Sequence, residues 1–211
     1  MICGIDEAGR GPLAGPVCAA AVILPENFPR NILGDSKKLS PRRREEAMTI
    51  IYRGAFAWGI GWASAFEIDR INILKASLLA MKRAFEELAA ASGTVLAALP
   101  PGLSAIVDGL YVPDIPLPCR ALVKADAQVP EVMAASILAK TARDRMMERY
   151  SWIYPDYGYD RHKGYPTQEH LKRIALHGPS PIQRRSFRVK PVQLPLFNHP
   201  PRDGGPQAGG S

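Results

Sequence analysis

Cysteine is scarce in this chain: Cys3, Cys18 and Cys119 are three in 211 residues, odd in number, widely separated and without a C-x-x-C pair. Neither a disulfide framework nor a zinc site is indicated, and a reducing cytoplasm fits. The histidines His162, His170, His177 and His199 never take H-E-x-x-H spacing, which argues against a zinc hydrolase. No G-x-S-x-G elbow and no P-loop occur. Long apolar runs are missing as well. The stretch "PVCAAAVIL" is far too short to span a bilayer, and acids at positions 6 and 7 stand where a signal peptide needs a basic then apolar run. A soluble, cytoplasmic protein with no membrane partner is expected, and no internal repeat is evident.

Acids are also rare toward the C-terminus, where Glu169 is the only one between Arg161 and Lys190. With a formal net charge of +7, this favours a polyanionic partner, nucleic acid first. A merely soluble basic surface is the plainer alternative, and charge alone decides little between them. The 211 residues, 46% of them hydrophobic, suffice for one sizeable α/β core. One domain over residues 1–192 is expected. The remainder, 193–211, is rich in proline, glycine and polar residues and reads as a disordered tail.

Along the chain, strands are expected at 2–6, 17–24 and near 55–63, with shorter buried ones at "SAIV" (104–107) and "RALVK" (120–124). Ser40 with Pro41 marks an N-cap and first helical position, opening a helix through "RRREEAMTII". Ser64 and Glu67 have capping-box spacing, followed by Ile71, Leu74, Leu78, Met81, Phe85 and Leu88 at helical intervals, a core stripe. Pro130 starts a helix to about Tyr150, with Glu131 in its first turn and Arg143, Arg145 and Arg149 toward its end, as the helix dipole favours. On it Ser136, Lys140 and Arg143 share a face beside Met133 and Ile137. Thr167 caps a last helix to about Leu176.

The acids are what remains to explain. "GIDEAGRGPLAGP" (4–16) puts Asp6 and Glu7 side by side before a turn made by Gly9, Gly11 and Pro12. A strand points neighbouring side chains to opposite faces, so both serve one site only if the strand ends there. Asp108 and Asp126 follow the two short apolar runs. If those strands are neighbours in one sheet, the four carboxylates converge, and they cannot sit together ionised without a cation. Mg²⁺ or Mn²⁺, which prefer hard oxygen ligands and hold substrate phosphate, would relieve the repulsion. Taken singly, each aspartate reads better as a turn or cap residue; together with the basic C-terminal third they favour metal-dependent phosphoryl chemistry. Glycoside hydrolysis by two carboxylates is a distant alternative, since no tryptophan-lined sugar platform is apparent.

Several separated blocks resemble the bacterial type 2 ribonucleases H, the ribonuclease HII family. They are "GIDEAGRGPLAGPV", "DSKKLS" (35–40), "EIDRINIL" (67–74), "IVDG" (106–109), "KADAQVPEVMAASILAKTARDR" (124–145), "HKGYPTQEHL" (162–171) and "RRSF" (184–187). The resemblance implies an α/β ribonuclease H-like fold, a mixed five-stranded sheet flanked by helices with a C-terminal helical segment. It also implies a monomer that cleaves 5′ of ribonucleotides in RNA/DNA hybrids and at single ribonucleotides in duplex DNA, leaving 3′-hydroxyl and 5′-phosphate ends. The family's catalytic, metal-binding acids carry over to Asp6, Glu7, Asp108 and Asp126, with two ions of Mn²⁺ or Mg²⁺ and Asp6 bridging them. "GRG" (Gly9, Arg10, Gly11) resembles the family's reader of the 2′-hydroxyl, the group that separates RNA from DNA. Arg10 could instead orient Asp6 or Glu7 through a salt bridge. Tyr165 resembles the tyrosine that stacks on the deoxyribose after the ribonucleotide, with half-buried packing as its alternative. Ser36, Lys37, Ser136 and Lys140 are candidate phosphate contacts.

Three positions depart from the family pattern: Ala125 and Val129 stand where glycine and serine are usual, and Gln183 where histidine is typical. Alanine at 125 is tolerable if its φ is negative, and Val129 removes a hydroxyl that could bond backbone or phosphate. The tail's "QLPLF" (193–197) resembles the pentapeptide that docks bacterial repair proteins onto the sliding clamp, with Gln193, Leu194, Leu196 and Phe197 as anchors. Folding back onto the chain's own domain is the alternative for those apolar residues. Against the nuclease reading stands a nucleic-acid binding protein without turnover, and the intact acids speak against it, because carboxylates repel phosphate.

Overall fold

The apolar runs near the N-terminus pair into an antiparallel meander: β1 (Ile2–Ala8), β2 (Val17–Ile23) and β3 (Ala57–Ala63), with Asp6 opposite Ala20 and Ala19 opposite Gly61. β4 (Ser104–Asp108) and β5 (Cys119–Leu122) add in parallel on the other side of β1. The order β3-β2-β1-β4-β5 makes β1 the central strand of a mixed five-stranded sheet. The computed structural model describes residues 1–34, 36, 39–91 and 101–188, so Lys37 and the 193–197 pentapeptide lie outside the described residues.

Alternation along β2 sorts the core. Val17, Ala19, Ala21 and Ile23 face helix α2 (Ala65–Ala91), while Ala20 and Val22 face α1 (Pro41–Gly54) and α3 (Pro130–Ile153). From α2, Met81, Phe85 and Leu88 are buried as the helical stripe predicts, each contributing about 1.5–3 kcal/mol of burial. Ile71 and Leu78 only half cover the edge of that core. Closest approach comes from small residues instead. A Cβ at Gly61 would lie 2.1 Å from the Ala80 carbonyl oxygen, and one at Gly59 2.3 Å from that of Ala84, so only glycine lets α2 lie so near β3.

Both expected caps form: the Ser40 hydroxyl accepts from Arg43 N at 3.3 Å, and Ser64 and Glu67 exchange three bonds of 2.8–3.2 Å. α2 is interrupted at Asn72 (φ 68°, ψ 164°), whose Oδ1 accepts from Lys75 N at 3.1 Å and restarts the helix. After α3, the C-terminal segment carries α4 (Tyr159–His162) and α5 (Gln168–His177), the latter capped by Thr167 through His170 N at 3.2 Å. Leu13 N donates to Gly164 O (2.8 Å) and Gly15 N to Ile182 O (2.9 Å), which ties this segment to the loop after β1.

Some boundaries differ from expectation. β1 does not end at the acids but runs to Ala8, because its ladder with β2 continues to the Ala8–Cys18 pair. On the β4 side the pairing does stop at Ile5–Val107. β5 ends at Leu122 and is only partly buried. Lys124 adopts a left-handed conformation (φ 58°), and Asp126 sits in a single 3₁₀ turn, Ala125–Ala127, rather than at a strand end. Ala125 needs no positive φ, since Lys124 makes the reversal, and α3 continues to Ile153. Among the described residues, no helix is long and apolar enough to cross a membrane.

Candidate active site

Asp6 is 5% exposed near the end of the central strand, with its Oδ1 accepting from Glu7 N at 2.7 Å. Its carboxyl is pushed well above the usual range, first by burial, then by Glu7 and Asp108, while the Ser136 hydroxyl works the other way. Parallel pairing of Ile5 with Val107 sets Asp108 beside Asp6 across the sheet. Asp108 Oδ1 accepts from Ala125 N at 2.8 Å, and that bond places the 3₁₀ turn carrying Asp126 against the end of β4. The four acids thus gather at one end of the sheet. Among the described residues, no three His, Cys, Asp or Glu side chains stand close enough to hold an ion as a ready-made set. Hard cations such as Mg²⁺ commonly take only one or two carboxylates and complete their shell with water and phosphate, so the oxygen donors present suit one.

Beside the acids lies a cleft of about 520 Å³ lined by Glu7, Gly9, Arg10, Gly11, Ser36, Ser136, Lys140 and Tyr165, together with Ala8 and Arg44. Arg10 Nη1 reaches Glu7 Oε1 at 3.4 Å, the salt-bridge alternative foreseen for it, and stays half exposed. Ser36 and Ser136 are both buried, their hydroxyls 2.8 Å apart, so the second links the first to Asp6. Lys140 Nζ and Arg44 Nη2 share one carboxylate, Asp144, at 2.8 and 3.3 Å, and Arg44 Nη1 also donates to Ser36 O at 2.9 Å. Arg44 went unnoticed in the sequence because the "RRREE" run reads as an exposed charged face.

Gly9, Arg10 and Gly11, at the start of the loop that follows β1, form part of the cleft's wall. Gly9 has φ 99°, and a Cβ there would lie 2.0 Å from Arg143 Nε, so this glycine makes room for a guanidinium. Gly11 is unstrained, and a Cβ on it would meet Tyr165 Cε1 at an ordinary 3.7 Å. Arg143, read as a residue of the charged end of α3, is 1% exposed and donates to Pro16 O, Lys163 O and Ala14 O at 3.0, 3.0 and 3.3 Å. Tyr165 is 40% exposed, with Lys140 Nζ and Arg143 Cζ 6.0 and 5.9 Å from its ring centre. Behind it His162 and His170 stack at 4.4 Å, with His170 Nδ1 on Tyr165 O at 2.9 Å and His162 Nδ1 accepting from Gly164 N at 3.1 Å. Burial lowers both imidazoles, His170 to about 4. Of the unusual residues, Val129 occupies the N-cap of α3 without a side-chain acceptor, and Gln183 is buried with neither side-chain polar atom hydrogen-bonded.

Solved structures with this arrangement define the class as ribonuclease H-like. Ribonuclease H2 from Pyrococcus horikoshii matches with a TM-score of 0.66 and 27% identity, covering 88% of this chain and 93% of that one. The ribonuclease HII of Archaeoglobus fulgidus, solved as a complex with PCNA, matches at 0.65 and 29% over 88% and 92%. The family model for ribonuclease HII covers residues 3–190. Ribonuclease HII of Treponema denticola is 59% identical over 198 residues, 90% of this chain and 99% of that protein. Its counterpart in Dechloromonas aromatica is 49% identical over 197 residues, 93% and 95% of the two chains. The chain belongs to the ribonuclease HII family. It is accordingly a hydrolase of the ribonuclease H type, an endonuclease acting on nucleic acid.

Proposed function

We propose that this enzyme hydrolyses the phosphodiester on the 5′ side of ribonucleotides, both in RNA/DNA hybrids and at single ribonucleotides within duplex DNA, giving 3′-hydroxyl and 5′-phosphate ends. One observation carries the reading: Asp6, buried near the end of the central strand with Glu7 next to it and Asp108 at the end of the neighbouring strand, stands at the edge of a cleft with Arg10, Arg44 and Lys140 on its walls. Carboxylates that face a polyanion call for divalent cations, and Asp6, Glu7, Asp108 and Asp126 are the residues that would hold them, with water and phosphate completing the shells. Two ions of Mn²⁺ or Mg²⁺ would supply an activated water and neutralise the leaving oxygen.

In this reading the chain's own side chains do the positioning. Lys140, with Lys37, Ser36 and Ser136, holds backbone phosphates, and Asp144 pairs with both Lys140 and Arg44. The backbone of Gly9, Arg10 and Gly11 faces the 2′-hydroxyl, and the exposed ring of Tyr165 takes the next, unhydroxylated sugar. Replacing Asp6 with Asn should abolish cleavage of a labelled duplex carrying one ribonucleotide, in Mg²⁺ or Mn²⁺, and leave duplex binding largely intact. Cutting by that variant at the wild-type rate would remove the metal-site reading.

The 193–197 pentapeptide is proposed as a docking peptide for the sliding clamp, as a monomer would present it. Its Gln193, Leu194, Leu196 and Phe197 supply the anchors, and the Archaeoglobus relative was solved bound to PCNA. Equal capture by purified clamp of the intact chain and of one cut after Val192 would reject this.

A further inference from the structure

Arg184 is completely buried, yet its acceptors are backbone carbonyls of a loop made far earlier in the chain. Its Nε donates to Gly15 O at 2.9 Å, Nη1 to Arg10 O at 3.0 Å, and Nη2 to Gly9 O at 2.6 Å and Pro16 O at 3.2 Å. Burial, then Arg143, lowers its pKa to about 9, so it remains charged at neutral pH. An apolar side chain is usually the cheaper way to fill such a place. What the guanidinium adds is direction. Its rigid fork fixes the carbonyls of Gly9 and Arg10 inward. In trans peptide units the N–H points opposite to the C=O, so the N–H groups of Arg10 and Gly11 are turned to the other side, the side on which Gly9, Arg10 and Gly11 line the cleft. Arg184 is itself held from behind: Asp69 accepts from Arg185 N (2.9 Å), Ser186 N (2.8 Å) and Ser186 Oγ (2.6 Å).

We propose that Arg184 is a positioning residue for ribose discrimination, setting the peptide groups of the 9–11 loop that meet the 2′-hydroxyl, with Asp69 as its support. This rests on the reading of that loop given above.

The test compares binding of two duplexes of one sequence, one carrying a single ribonucleotide and one all DNA, by the full chain in chelator so that no turnover occurs. Arg184→Lys keeps the charge but cannot span both ends of the loop. Its preference for the ribonucleotide duplex should fall about 10-fold, one hydrogen bond's worth, with all-DNA affinity within about 2-fold of wild type. A purely structural role would weaken both duplexes alike, and that result, or an unchanged preference, overturns the proposal. Should Arg184→Lys not fold, by circular dichroism, Asp69→Ala decides on the same ratio: a reduced preference supports, an unchanged one overturns. Gly11→Ala, whose added methyl would meet Tyr165 Cε1 at an ordinary 3.7 Å and so fits without strain, separates this proposal from its foundation. Preference lost there and kept in Arg184→Lys overturns the role of Arg184 alone, whereas preference kept in both, or absent from wild type, overturns the loop reading too.

Discussion

Acid should unfasten the Tyr165 loop before it harms the sheet. His170 is fully buried, its Nδ1 bonded to Tyr165 O at 2.9 Å and its Nε2 without a hydrogen-bond partner, which is a neutral imidazole with nowhere to put a second proton. Burial brings its pKa from 6.5 to about 4. Because the folded value is the lower one, the unfolded chain binds the proton more readily. The stabilisation is therefore complete above pH 6.5 and is lost as pH falls toward 4. At pH 5 the loss amounts to about 2 kcal/mol, and it saturates near 3 kcal/mol below pH 4. Urea midpoints for wild type and His170→Gln, taken from pH 7 to pH 5, measure it. The variant starts less stable, but its curve should be flatter by about 2 kcal/mol over that interval. Parallel curves would refute the reasoning, and with it the neutral pair of stacked imidazoles.

Two further outcomes follow from packing and capping. Gly61→Ala places a methyl 2.1 Å from the Ala80 carbonyl oxygen, so α2 must lift from β3, lowering stability by about 2–3 kcal/mol in a urea titration. Glu67 sits near pKa 2 because Arg83, then the Ser64 backbone, bonds its ionised form. Glu67→Ala should cost about 1–2 kcal/mol at pH 7, and since the folded value is the depressed one, the gap to wild type should close as pH drops from 4.5 toward 2.

Much of the frame was legible because it is written in local signals. Ser40–Pro41, Ser64–Glu67 and Thr167 each announce a helix start by residue type alone, and the structure forms each of those caps. The mixed sheet and its neighbours came from the resemblance rather than from any pattern, since "RALVK" shows nothing that distinguishes a parallel edge strand of four residues. Side chains whose burial contradicts their chemistry stayed hidden. Arg44, Arg143 and Arg184 look like surface charges until the carbonyls they serve are seen. The missing Cβ of Gly9 leaves the space taken by Arg143, a contact that nothing in the sequence announces. The tight seam between Gly59, Gly61, Ala80 and Ala84 has no hydropathy signature, because it depends on small size and not on apolarity.

The bond from Arg184 to Gly9 closes over a separation of 175 residues. A growing polypeptide emerging from the ribosome would therefore have produced every strand of its sheet, with Asp6, Glu7, Asp108 and Asp126, long before the guanidinium that bonds the first turn is synthesised. If Arg184 has the role proposed for it, competence to tell one sugar from another would be among the last properties such a nascent chain acquires.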